Sequence, residues 1–144
     1  MSDKPTILVT GGAGYIGSHA VLALKDAGYG VVVIDNLSTG HRWAVKWGPL
    51  EIGDMADRAV VANLIARYKP VAVMHFAALS LVGDAMRDPG TYWRANVLSS
   101  LTLIEAAVAA GRNGASAGSS ARRKGLARFS RPMVVGTVGS PRER

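Results

Sequence analysis

The chain has 144 residues, 49% of them apolar, with 17 lysines and arginines against 10 aspartates and glutamates and a formal charge of +7. That charge is concentrated: residues 1–111 carry nine basic and nine acidic side chains, whereas residues 112–144 carry eight basic side chains and only Glu143. The length fits one ordinary domain, the lack of cysteine excludes a disulfide scaffold and cysteine-ligated zinc or iron–sulfur sites, and three scattered histidines argue against a histidine metal centre.

In chain order, the polar start Met1-Ser2-Asp3-Lys4-Pro5 argues against a signal peptide. No apolar stretch approaches the roughly 18 residues of a membrane helix, so a cytoplasmic setting without membrane contact is expected. Thr6-Ile7-Leu8-Val9-Thr10 is short, β-branched and bounded by Pro5 and Gly11-Gly12, the pattern of a buried strand. Ile16, Ala20, Val21, Leu24 and Ala27 then recur at helical spacing, and Gly28 ends the helix. Val31-Val32-Val33-Ile34, apolar at every position, predicts a strand covered on both faces, closed by Asp35.

Residues 36–48 are polar and turn-rich, and Trp43 and Trp47, four residues apart, are expected to pack a short helical stretch onto the domain. A weak strand at Leu50-Glu51-Ile52 precedes Gly53-Asp54, and Val60, Val61, Leu64, Ile65 and Tyr68 predict a helix closed before Pro70. The next strand is Val71-Ala72-Val73-Met74-His75-Phe76, in which His75 is expected to be a hydrogen-bonded core residue rather than a catalytic one. Asp88-Pro89 starts a further helix that runs to Gly111. Strands alternating with helices predict an α/β fold: a Rossmann-like, doubly wound parallel sheet, here with about four strands. Residues 112–144, with seven Arg, five Gly and five Ser and Met133-Val134-Val135 as their apolar run, are expected to form a poorly ordered basic tail.

The chemistry lies in Gly11-Gly12-Ala13-Gly14-Tyr15-Ile16-Gly17, between the first strand and the first helix. Glycines there allow unusual backbone angles and close approach of the chain to a pyrophosphate, and the helix start offers N–H groups to it. Asp35, 21 residues after Gly14 at the carboxyl end of the second strand, is placed to accept hydrogen bonds from both hydroxyls of an adenosine ribose. Its carboxylate repels a 2′-phosphate, which favours NAD over NADP. No Gly-Lys-Ser/Thr follows the glycines, so a P-loop is disfavoured.

These glycines, with Asp35-Asn36-Leu37-Ser38, Gly53-Asp54, His75-Phe76-Ala77-Ala78 and Val82-Gly83-Asp84, resemble the extended short-chain dehydrogenase/reductase family, in particular its UDP-glucose 4-epimerase branch, over residues 6–111. Val82-Gly83 separates that branch from related nucleotide-sugar dehydratases, which usually show Val-Asp there. The resemblance implies that Gly11, Gly12, Gly14, Tyr15, Ile16 and Gly17 hold the pyrophosphate of NAD. It implies that Asp35, Asn36, Leu37 and Ser38 take the adenosine ribose and its surroundings, and that Asp54 and Met55 meet the adenine. Phe76, Ala77 and Ala78 would line the path to the nicotinamide ribose, with Ser80 and Asn96 as further contacts. Two positions depart from the branch: Ser80 stands where many members have Lys, and Ala95-Asn96 where they pair two asparagines.

In that family a Tyr-x-x-x-Lys pair removes the 4-hydroxyl proton of a UDP-sugar while hydride passes to NAD, and hydride returns to the other face of the 4-keto sugar. None of the four tyrosines here, Tyr15, Tyr29, Tyr68 and Tyr92, has lysine four residues on, so no catalytic residue is assigned. Ser119-Ser120 lacks the apolar strand that should precede the family's Ser-Ser step. The expectation is therefore the NAD-binding portion of an epimerase-like protein, inactive alone, whose Arg-rich tail has the composition of an out-of-frame reading of GC-rich DNA. Translating the downstream DNA in the other frames tests that. A stand-alone NAD-binding module with a nucleic-acid arm is disfavoured, because the tail lacks aromatic residues beyond Phe129 and any recognition helix; a fragment of a related dehydratase or reductase differs only in substrate. A sheet of four strands exposes an edge and apolar surface, so self-association through that edge is expected.

Overall fold

A computed structural model describes residues 4–79, 82–116 and 134–135. The central strand β1 (Thr6–Thr10) leads through the glycine turn into α1 (Tyr15–Asp26), then β2 (Gly30–Asp35), a single 3-10 turn (Arg42–Ala44) and β3 (Leu50–Ile52). Next come α2 (Arg58–Tyr68), β4 (Ala72–His75), α3 (Val82–Arg87), α4 (Pro89–Trp93), a π-helical turn (Arg94–Leu98) and α5 (Ser99–Ser116), and finally β5 (Val134–Val135). The strands form one sheet in the order β3-β2-β1-β4-β5, and all four pairings are parallel. This is the doubly wound arrangement expected, with the order reversing at β1.

The all-apolar strands have the reason the sequence suggested. Ile7, Val9, Val31 and Val33 point to one face and pack with Val21 of α1. Leu8, Val32, Ile34 and Val73 point to the other and pack with Val61, Leu64 and Ile65 of α2 and Leu103 of α5. Each such side chain taken out of water contributes about 1.5–3 kcal/mol. On the second face an Arg58–Glu105 ion pair links α2 to α5. Asp57 caps α2 by accepting hydrogen bonds from the N–H groups of Ala59 (2.9 Å) and Val60 (3.2 Å). Lys69 ends that helix in the left-handed region at φ 46°, its N–H bonded to Ile65 O, and Pro70 prevents continuation.

The structure departs from expectation in three places. Residues 82–87 form a short helix that the sequence pattern did not reveal. The helical run after Pro89 is broken by the π turn and continues to Ser116, past Gly111. At the edge of the sheet Val134 and Val135 pair with Val73 and Met74 as a short fifth strand; residues 117–133 and 136–144 lie outside the described residues. Trp47 is half-buried against the apolar cluster on the α1 face, but Trp43 is 74% exposed and stacks on His41, with ring centroids 5.5 Å apart, instead of packing inward. Among the described residues no helix is long and apolar enough to cross a membrane.

Candidate functional site

The carboxyl ends of β1, β2 and β4 open into a cleft of about 1080 Å³ at the point where the strand order reverses. In open α/β sheets this crevice is where ligands bind. Its floor is the turn after β1. Gly11 adopts φ +68°, and a Cβ there would lie 2.6 Å from Ala77 N; a Cβ on Gly17 would overlap the Gly11 carbonyl oxygen. Glycine at these two positions lets the loop, the start of α1 and the end of β4 approach one another. The N-cap of α1 is Gly14, which has no side chain to offer, so the first-turn N–H groups of Tyr15, Ile16 and Gly17, residues that line the cleft, have no intrahelical acceptor.

Asp35 sits at the end of β2, 8% exposed. Its Oδ2 accepts from Ala13 N at 3.0 Å and its Oδ1 from Leu37 N at 2.8 Å, so one carboxylate ties the glycine turn to the loop after β2. Both oxygens retain capacity to accept further hydrogen bonds. The bond to Leu37 holds that residue at φ 58°, in the left-handed region. Asn36 Oδ1 accepts from Ser38 N at 3.0 Å and Asp54 Oδ1 from Ala56 N at 2.8 Å, so both loops bordering the cleft are shaped by their own side chains.

Most of the residues singled out from the sequence converge on this cleft. Gly11, Gly14, Tyr15, Ile16 and Gly17 line its floor; Asp35, Asn36, Ser38, Asp54 and Met55 line one side; Phe76, Ala77, Ala78 and Asn96 line the other. Gly12 and Leu37 are not among the lining residues: Gly12 is buried, with Val33 where its Cβ would be. Ser80 lies outside the described residues. The sequence reading missed Thr39, Gly40, Gly53, Ala56, Leu79, Thr91, Arg94, Leu98, Ser99 and Ser100. Arg94, Leu98, Ser99 and Ser100 come from or directly follow the π turn, which has no signature in composition. Asn96 is in place, but its amide is occupied: Oδ1 accepts from Leu79 N at 2.8 Å and Nδ2 donates to Leu79 O at 3.0 Å. It clamps the backbone of the cleft wall.

His75, 2% exposed, is the hydrogen-bonded core residue expected of it. Its Nδ1 lies 2.6 Å from Thr10 Oγ1 and its Nε2 3.1 Å from Ser100 Oγ. Burial pushes the imidazole below the usual histidine range.

A parallel sheet with a glycine turn leading into a helix, an acidic residue closing the second strand and a cleft at the switch point define a fold of the Rossmann type, a class in which that crevice takes dinucleotides. A family model, the NAD dependent epimerase/dehydratase family, matches residues 7–124. The chain belongs to that family. A UDP-glucose 4-epimerase of Rhizobium leguminosarum bv. trifolii is 54% identical over 108 residues, which are 75% of this chain and 33% of the relative. The crystal structure of UDP-glucose 4-epimerase from Brucella ovis in complex with NAD superposes with a TM-score of 0.72 at 46% identity, covering 74% of this chain and 33% of that one. The Thermotoga maritima UDP-glucose 4-epimerase with UDP-glucose gives 0.71 at 36% identity, covering 74% and 35%. The chain thus spans about a third of the length of the relatives it matches.

Proposed function

We propose that the cleft binds NAD and that the chain supplies the cofactor-holding part of a UDP-glucose 4-epimerase-type reaction on a UDP-sugar. The observation that carries this is the joining of two features in one cleft: a turn whose glycines make room that a Cβ would fill, and the buried carboxylate of Asp35 bonded to that turn. The residues fit the group. The backbone from Gly11 to Gly17 offers N–H groups to a pyrophosphate, Asp35 offers acceptor oxygens to ribose hydroxyls, and Asp54 and Met55 border the adenine end. Residues 76–78 lead toward the nicotinamide ribose. When bound, NAD supplies a reversible hydride acceptor; this chain's residues orient it, and no tyrosine of the sequence carries the Tyr-x-x-x-Lys pattern for proton transfer.

Calorimetric titration of the full chain tests the reading. NAD is expected to bind, NADP to bind more weakly, and Asp35→Ala to weaken NAD binding by about tenfold or more, the order of effect of losing hydrogen bonds to a charged group. Absence of NAD binding by the folded chain, or equal binding of both dinucleotides, would overturn it.

A further inference from the structure

The protons shared among Thr10, His75 and Ser100 can be assigned one by one. Ser100 Oγ donates its hydrogen to Asn96 O at 2.7 Å, so toward His75 it can only accept, and His75 Nε2 must carry a proton. Thr10 Oγ1 accepts from Phe76 N at 3.2 Å and Ala77 N at 3.3 Å, and its own hydrogen points to His75 Nδ1, which must be bare. The imidazole is thereby held as the neutral Nε2–H tautomer, and each of its partners has every donor used. At the far end, Asn96 grips both backbone polar groups of Leu79.

The chain of bonds starts and finishes on the same segment. Residues 76 and 77 are tied through Thr10 to His75, and residue 79 is tied through Asn96, whose carbonyl oxygen receives the Ser100 hydroxyl. That segment, residues 76–79, is one wall of the cleft. We propose that His75 is a positioning residue for cofactor binding: as the fixed tautomer it couples the end of β1 to the π turn and α5, and so sets the backbone of the wall against which the nicotinamide half of the dinucleotide lies. It touches no ligand itself. The inference rests on the NAD-binding reading above.

The test uses the full chain labelled with ¹⁵N. Two-bond correlations of the His75 ring are expected to show a protonated Nε2 and a bare Nδ1 near neutral pH. Thr10→Val and Ser100→Ala each remove one hydroxyl at nearly constant volume, and each is expected to weaken NAD binding about five- to tenfold. Thr10→Ser, which restores the hydroxyl, is expected to recover most of the affinity lost in Thr10→Val. Leu24→Ala, which removes packing at the far end of α1 and lines no part of the cleft, should leave NAD affinity within about twofold and so separates positioning from general destabilisation. A protonated Nδ1, or wild-type affinity in both Thr10→Val and Ser100→Ala, would overturn this inference alone. A wild-type chain that ignores NAD would overturn it together with the cofactor reading.

Discussion

The turn after β1 is fixed from two sides, by a side chain that is present and by one that is missing. Asp35 pulls the turn toward β2 through Ala13 N, and the bare Cα of Gly17 lets the Gly11 carbonyl fold against the start of α1. Gly17→Ala puts a methyl group into a backbone oxygen that cannot rotate away. It is expected to destabilise the fold by about 1–3 kcal/mol, as overpacking does, and to reduce NAD binding in parallel; an unchanged urea midpoint would contradict the geometry. His75 carries a second expectation at this scale. Its folded pKa lies below the value of 6.5 that the unfolded chain adopts. Above that value both states are neutral at this site and its contribution is complete. As pH falls below it, the unfolded chain takes up a proton that the folded state resists, and stability drops toward the folded pKa. Urea denaturation at a series of pH values, in wild type and His75→Gln, should show a loss as pH falls below about 6.5 that the variant lacks.

Among the elements, α2 gives the simplest check. Asp57→Ala removes both cap bonds and is expected to cost about 1 kcal/mol in urea denaturation. The helix itself was legible, since Val60, Val61, Leu64, Ile65 and Tyr68 recur at its period and all turn inward at least in part. The strands were legible for a related reason: two covered faces demand apolar residues at consecutive positions, as in Val31-Val32-Val33-Ile34. Glycine spacing and Asp35 revealed the floor and one side of the cleft because both are local features. The other side was less readable. A π turn differs from an α turn by less than one residue, so Arg94, Ser99 and Ser100 gave no sign of facing the cleft. Likewise the spacing of Trp43 and Trp47 marks a common face but not which tryptophan meets the core. The bonds from His75 to Thr10, 65 residues away, and to Ser100 exist only once the sheet has assembled.

At the scale of the molecule, the two faces of the sheet are covered unequally: α2 and α5 pack on one, α1 on the other. Along the helical run beyond the cleft, Val97, Leu101, Ile104 and Val108 recur every three or four residues and stay between 37% and 48% exposed. The sequence suggests association through a sheet edge; this stripe offers a further apolar surface, and reversible association is expected to run through it. Sedimentation velocity over a wide concentration range should show reversible association that Leu101→Glu with Ile104→Glu suppresses. A monomer at every concentration would refute this.

The position of β1 also governs how the protein is made. It is the central strand, yet the partner of Thr10 on β4 is His75, 65 residues later. At about 5–20 residues per second, a ribosome needs roughly three to thirteen seconds to deliver it. Through that interval the strand destined for the middle of the sheet has one flank open, and the glycine turn that depends on both flanks has no fixed shape. That flank therefore stays unpaired for longer than in an antiparallel hairpin, whose second strand follows after a short turn.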